Sequence, residues 1–172
     1  MNKRAYLAVV VIIGLLATVL VGACGCGGAK VEKPNVAYVP QGWYLSDELA
    51  YPAIGGNGSW GLVEYLDEED ADFVQIYYGD IPSELRGKET DGEALIGRAF
   101  YESTAFEPTE SGTMMIGGWI AGYTKAYDAE YDVYDMEIVF VHESTCIDIY
   151  ACYDANASDE AQVMSIIESI NF

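Results

Sequence analysis

Residues 133–153 read as two strands folded back on one another. Met136, Ile138 and Phe140 fall on one side of Val133–His142, and Ile147, Ile149 and Ala151 fall on one side of Cys146–Tyr153. Alternation of this kind puts residues i and i+2 on the same face of a pleated strand. Glu143, Ser144 and Thr145 are left to make the turn. A link that short joins only antiparallel neighbours, because a parallel partner needs a crossover of a dozen or more residues. The chain must therefore build an antiparallel sheet with an apolar face to bury.

Other segments extend the sheet. Phe73–Tyr78 is rich in β-branched and aromatic residues, as strands are. Trp60–Leu66 alternates Leu62, Glu64 and Leu66 with Val63 and Tyr65. Val36–Leu45 is extended, broken by Pro40-Gln41-Gly42 ahead of Trp43, a core anchor. Residues 46–58 read as a loop, with Pro52 and the cluster Gly55-Gly56-Asn57-Gly58, and 67–72 as an acidic turn. Residues 114–127 are extended, with Gly117-Gly118 allowing a bend or bulge.

Two segments change to the helical period. Thr90 and Glu93 fit a capping box, and Ala94, Leu95, Ile96, Ala99 and Phe100 follow at helical spacing, which predicts a helix over about 91–105. Residues 158–170 predict a closing helix, with Asp159 and Glu160 in the first turn, where negative charge suits the helix dipole. Val163, Ile167 and Ile170, with Met164 and Ile166, form its apolar stripe. Strands, helix, three strands, helix is an α+β order.

The N-terminus stands apart from this domain. Lys3 and Arg4 precede 19 residues, 5–23, that carry no charge, and Val21-Gly22-Ala23-Cys24 closes the run. A small residue directly before a Cys, behind an aliphatic one, resembles a lipobox. That resemblance implies cleavage before Cys24 and lipid attached to its sulfur. The alternative is an uncleaved anchor, since about 20 apolar residues span a bilayer. Both place the remainder on the extracytoplasmic side of the cell membrane, because early Lys and Arg stay in the cytoplasm. The expected division is a signal peptide or membrane anchor at 1–23, a flexible tether at 24–35, Gly-rich and then broken by Pro34, and one domain at 36–172.

Without residues 1–23 the chain has 6 Lys and Arg against 28 Asp and Glu, a formal charge of −22. Such a balance excludes nucleic acid as a partner, since nucleic-acid binding needs a basic surface. It also opposes lying flat on anionic lipid. It favours solubility and attraction of cations. Disorder is excluded in turn, because hydrophobic residues make up 51% of the sequence and 14 are Tyr, enough for one core.

The element order is similar to that of the PsbP-like sandwich family, which includes small prokaryotic lipoproteins. The matching residues are Pro40-Gln41-Gly42-Trp43, the Phe73–Tyr78 strand, the helix near 91–105, the Gly117-Gly118 strand, the two late strands, and the ending Ile166-Ile167-Glu168-Ser169-Ile170-Asn171-Phe172. The resemblance covers roughly residues 36–172 under the single-domain prior. It implies an antiparallel sheet covered by helices on both faces, an α-β-α sandwich, preceded here by the hydrophobic N-terminal segment. It also implies a binding or accessory role rather than catalysis, and it supplies no site residue.

Candidate constellations are few. Cys146 and Cys152 lie six positions apart, about 20 Å along one strand, which is beyond disulfide reach. Buried thiols are the expectation. Cys26 sits in the tether. His142, the one histidine, is placed by the proposed hairpin near Cys146 and Glu143, too few ligands for zinc. Asp128, Glu130 and Asp132 alternate like the start of a calcium loop. Val133 and Val139 stand where its Gly and Glu belong, so the EF-hand fails. A looser cation site could use these acids, or Asp67, Glu68, Asp70 and Asp72. Asn57 and Asn156 head glycosylation sequons. Ser59 lacks the glycine of a nucleophile elbow, and Gly87-Lys88 lacks the Ser or Thr of a P-loop.

No cofactor and no enzymatic chemistry are expected. The leading expectation is a membrane-anchored accessory module that binds an envelope protein through a sheet edge or through Tyr44, Tyr51, Tyr127, Tyr131 and Tyr134. The other is a lipoprotein that binds a cation or small ligand.

Overall fold

The computed structural model describes residues 31–51, 59–68, 71–102 and 107–172. The lipobox with Cys24, the uncharged run, Cys26, Asn57 and Asp70 lie outside them. Among the described residues, no helix is long and apolar enough to cross a membrane.

The elements in chain order are β1 (Asn35–Val36), β2 (Trp43–Tyr51), β3 (Trp60–Asp67), β4 (Phe73–Asp80), α1 (Gly92–Glu102), β5 (Glu110–Ile116), β6 (Trp119–Asp128), β7 (Val133–His142), β8 (Thr145–Asp154), α2 (Ala157–Glu168) and β9 (Ile170–Asn171). Seven strands form one sheet in the order β2-β3-β4-β8-β7-β6-β5, and every neighbouring pair in it is antiparallel. The hairpin expected over 133–153 is present, with Ile138 opposite Ile149.

The expected α-β-α sandwich, a sheet covered by helices, is not what the chain builds. The structure is mostly β: among the described residues, strands hold 51%, and the two helices are short. Geometry gives the reason. The helices have 11 and 12 residues, so each is about 16–18 Å long. Seven strands span about 29 Å. α1 packs on β5, β6 and β7, while α2 packs on β8 and β4. Neither reaches across its face.

Alternation splits the sheet into two unlike faces. The α2 face carries the main core: Val63, Val74, Ile76, Ile138, Phe140, Ile147 and Ile149 pack against Val163, Ile166 and Ile167. Trp43 joins it as the sequence suggests, and its indole N–H donates to Gln162 Oε1 at 2.9 Å. The α1 face has a smaller apolar patch, where Leu95 and Ala99 meet Val139, Val141 and Cys146. A second small cluster, Phe73, Val133 and Cys152 with Leu66 and Tyr150, lies at the other end of that face, and polar side chains run between the two.

Several boundaries differ from expectation for local reasons. β2 runs through residues expected to loop, with a bulge between Leu45 and Asp47. Gly117 and Gly118 both adopt positive φ, 57° and 96°. They form a two-residue hairpin turn rather than a bend, so one expected segment becomes two strands, β5 and β6. Asp91, not Thr90, caps α1, and its Oδ1 accepts from the backbone N–H of Glu93 and Ala94. Ile170 leaves the closing helix to pair with Val36 in the β1–β9 ladder. Ordered contacts also start inside the segment read as tether: Val31 packs against the main core, and the Glu32 N–H donates to Thr145 Oγ1 at 2.9 Å.

Candidate functional site

Two groups of polar side chains stand out, one at an end of the sheet and one across it. At the end, β4 begins, β8 finishes and α2 starts. Asp72, Asp154 and Asp159 meet there, with a carboxylate oxygen of each within 4.8 Å of the others. Each element has its own reason to deliver an acid. Asp67 Oδ1 accepts from the backbone N–H of Ala71 and Asp72, which closes the β3–β4 turn and leads Asp72 inward. The Asp154 N–H donates to Asp72 Oδ1 at 2.9 Å. Asn156 caps α2 by accepting from Ser158 and Asp159 N–H, while its own Nδ2 donates to Asp159 Oδ2. Asp72 is buried at 6% exposure. Burial pushes its carboxyl up to about 7; the Asp154 N–H works against this, and the charges of Asp159, Asp67 and Asp154 reinforce it.

The second group is a row on the α1 face. Glu64, Gln75, Tyr150, Glu137 and Thr124 are successive cross-strand partners from β3 through β4, β8 and β7 to β6. Tyr77 and Asp148 pair in the next row on one side, and Asp135 and Cys152 pair on the other. Gln75 Nε2 donates to Glu64 Oε1 at 2.6 Å, and Tyr77 donates to Gln75 Oε1 at 3.0 Å. Tyr150 donates to Asp135 Oδ1 at 2.5 Å. Burial raises Asp135, with the Tyr150 and Cys152 hydrogen bonds opposing it. Burial also raises Tyr150 and Cys152 far above their ordinary values, and the nearby Asp135 charge adds to both.

The sequence candidates are dispersed. His142 and Cys146 are on opposite faces, since Cys146 pairs with Val141. His142 stacks on Phe172 at 4.0 Å between centroids and lies edge-on to Trp119 at 4.7 Å. Cys146 and Cys152 are buried, and neither is in a disulfide. Asp128 Oδ1 accepts from Glu130 N–H, and Asp132 Oδ1 accepts from Tyr127, so those acids close a turn instead of converging on one point. Of the looser acidic run, Asp72 enters the three-acid group and Asp67 serves the turn. Tyr44 is exposed on β2, whereas Tyr127 and Tyr134 meet with tilted rings, 5.4 Å between centroids, on the far β6–β7 hairpin, so these tyrosines make no single surface. Asn156 is exposed, but its amide nitrogen is engaged in the α2 cap. Asp154 and Asp159 escaped sequence reasoning as site residues because they lie more than 80 positions from Asp72.

Compared with known proteins, the chain matches no family model and no curated sequence.

Proposed function

We propose that the chain is an exported, membrane-tethered, non-enzymatic binding domain whose Asp72, Asp154 and Asp159 take a divalent cation. One observation carries this: three carboxylates from three separate elements converge within 4.8 Å. Burial, reinforced by the neighbouring acids, favours a proton on Asp72, and above pH 7 a divalent cation would take the place of that proton. Carboxylate oxygens are hard donors, suited to calcium or magnesium rather than zinc. The tether follows from Lys3, Arg4, the uncharged run and Cys24. Extracellular calcium modules work at about 10⁻⁴–10⁻³ M, a range that suits a site with only three acids.

The test is a thermal melt at pH 8 in calcium or magnesium chloride, against sodium chloride of equal ionic strength. Ten times Kd should stabilise by about 1.4 kcal/mol, and Asp72→Asn should remove the effect. No shift beyond the sodium control would sink this reading.

A second reading, capture of an envelope protein, is favoured by the unequal edges of the sheet. β2 is guarded by its bulge and by the Lys33–Glu48 ion pair at 2.5 Å. β5, at the other edge, is regular in register, has Glu110 as its one charge, and exposes 63% of Met115. Bare edges accept added strands. Thr113→Lys on β5 should abolish partner capture while leaving the melting temperature within about 2 °C; unchanged capture would remove this reading.

A further inference from the structure

We infer that β5, the bare edge on which the second reading rests, pairs with β5 of a second copy of this chain across a two-fold axis at Thr113. Among the described residues, β5 ends the seven-stranded sheet. The turn that follows it decides which of its backbone groups face outward. Gly117 and Gly118, both at positive φ, make a two-residue link between Ile116 and Trp119. Such a link closes on a hydrogen-bonded pair, and bonded and non-bonded pairs then alternate along the ladder. Gly112, Met114 and Ile116 therefore bond to β6, while the N–H and C=O groups of Ser111, Thr113 and Met115 point away from the sheet. Paired antiparallel about Thr113, those residues satisfy one another. Thr113 meets Thr113 of the second copy, and Ser111 meets Met115 on either side of the axis. Each of these pairs exchanges both of its backbone hydrogen bonds.

The side chains fit the same register. Ser111, Thr113 and Met115 are exposed on the α1 face, where a Cβ added to Gly92 of α1 would meet Thr113 Cγ2 at 2.8 Å. Met115, the large apolar residue of this row at 63% exposure, is set beside the small Ser111 of the second copy. On the other face Met114 is set beside Gly112, again large beside small. Glu110, the one charge of the strand, falls opposite Ile116 of the second copy instead of another acid, and its Oε1 already accepts from the Tyr123 hydroxyl at 2.6 Å. Like charges directly opposite would oppose pairing, and this register holds the two acids at far ends. The helices leave room as well. α1 rests on β6 at Gly122, so the two copies of α1 stand three strand spacings apart, about 14 Å. Helices in contact lie about 8–10 Å apart. A foreign strand would need a matching register of its own, whereas a second copy brings the match by symmetry. One strand per copy is a small contact, which makes the dimer reversible.

The experiment follows the full-length chain in detergent by sedimentation equilibrium, at about 150 mM salt, where repulsion between two acidic copies is screened. A reversible monomer–dimer equilibrium is expected. Thr113→Glu and Thr113→Lys each set like charges across the axis and should weaken it about fivefold or more. An equal mixture of the two variants should recover it, because Glu then faces Lys, and recovery also shows that both variants fold. Backbone amide exchange gives a second readout: Ser111, Thr113 and Met115 should gain protection as protein concentration rises, whereas Gly112 and Met114 should not. A single-chain mass at every concentration, or a mixture no tighter than either variant alone, would overturn the inference. The envelope-partner reading fails separately. Capture that survives Thr113→Lys while the mixture still pairs removes that reading alone; a monomeric chain whose capture is abolished by Thr113→Lys removes the dimer alone.

Discussion

The α-carbon of Gly122 on β6 lies so close to α1 that a Cβ there would meet the backbone nitrogen of Ile96 at 2.3 Å and the carbonyl carbon of Leu95 at 2.4 Å. The helix rests on the sheet at this glycine. Gly122→Ala cannot be absorbed by a rotamer change, because the obstacle is backbone. It should cost about 2–4 kcal/mol, at or above the usual range for overpacking, read as a lower urea midpoint. Gly97, on the outer side of α1, faces open space: a Cβ added there would meet nothing within 4 Å. Gly97→Ala should stabilise by about 0.5–1 kcal/mol. The opposite signs at one helix make the pair its own control.

Asp72 predicts an inverse pH dependence. Its carboxyl is raised from 3.8 to about 7 by burial and by the neighbouring acids. Between those values the folded state holds a proton that the unfolded chain has released. The stability from this group is therefore full below about pH 4, falls as pH rises, and is gone above about pH 7. A rise of that size is worth roughly 4 kcal/mol as an upper bound. Asp72→Asn keeps an acceptor for the Asp154 N–H and carries no charge. It should be more stable than the unmodified chain at pH 8 and should lose this slope, measured by urea unfolding at pH 4.5 and pH 8 in chelator.

Lys125 clamps α2 to the sheet. Its Nζ is 2.6 Å from Glu160 Oε1 and 4.0 Å from the Tyr134 ring centroid, with the side chain 11% exposed. Burial pulls its pKa down, but the hydrogen bond and charge of Glu160 help raise it overall. Its stabilisation is thus complete below the ordinary lysine value and is lost as pH climbs through the raised one. Lys125→Ala should destabilise by about 1–2 kcal/mol, mostly through lost stem packing, since Glu160 is 42% exposed and open to water. Thermal melts at pH 7 would check this, and no change would show that the Lys125 stem contributes no packing.

Asn156 should behave as a cap. Asn156→Ala removes the acceptor for Ser158 and Asp159 N–H and should cost about 1 kcal/mol. Asn156→Asp keeps the acceptor and should cost less, although it adds charge beside Asp159. A glycan on the same nitrogen would compete with its bond to Asp159 Oδ2, so glycosylation at Asn156 should lower the melting temperature.

Local pattern carried the hairpin of β7 and β8 and the two helix positions, because those depend on period and neighbours. It failed where a glycine pair served equally as bend or turn: the alternation runs on from Met114 to Tyr127, and only a fold back at Gly117 and Gly118 splits it. β2 was hidden by Ser46, Asp47 and Glu48, polar residues that suit an exposed edge as well as a loop. Helix coverage was overstated because order alone says nothing of helix length against sheet width. The sites were less legible still. Asp72 lay within an acidic run already singled out, but its companions come from β8 and α2. The row from Glu64 to Thr124 exists only through the register of five strands, and no single strand in it looks unusual.

The pairing of β1 with β9 also has a mechanical side. Asn35 faces Asn171 and Val36 faces Ile170, so the segment leading in from the N-terminus is gripped by the last residues of the domain, with Ser169 Oγ accepting from Tyr38 N–H. Tension arriving along the proposed membrane tether would load Val31 and the Glu32–Thr145 hydrogen bond first and this two-residue ladder next. Ile170 belongs to the main core and Val31 and Val36 pack against it, so parting the ladder would open one margin of that core. Under the proposed tethering, the ladder would hold that margin shut against a pull from the membrane.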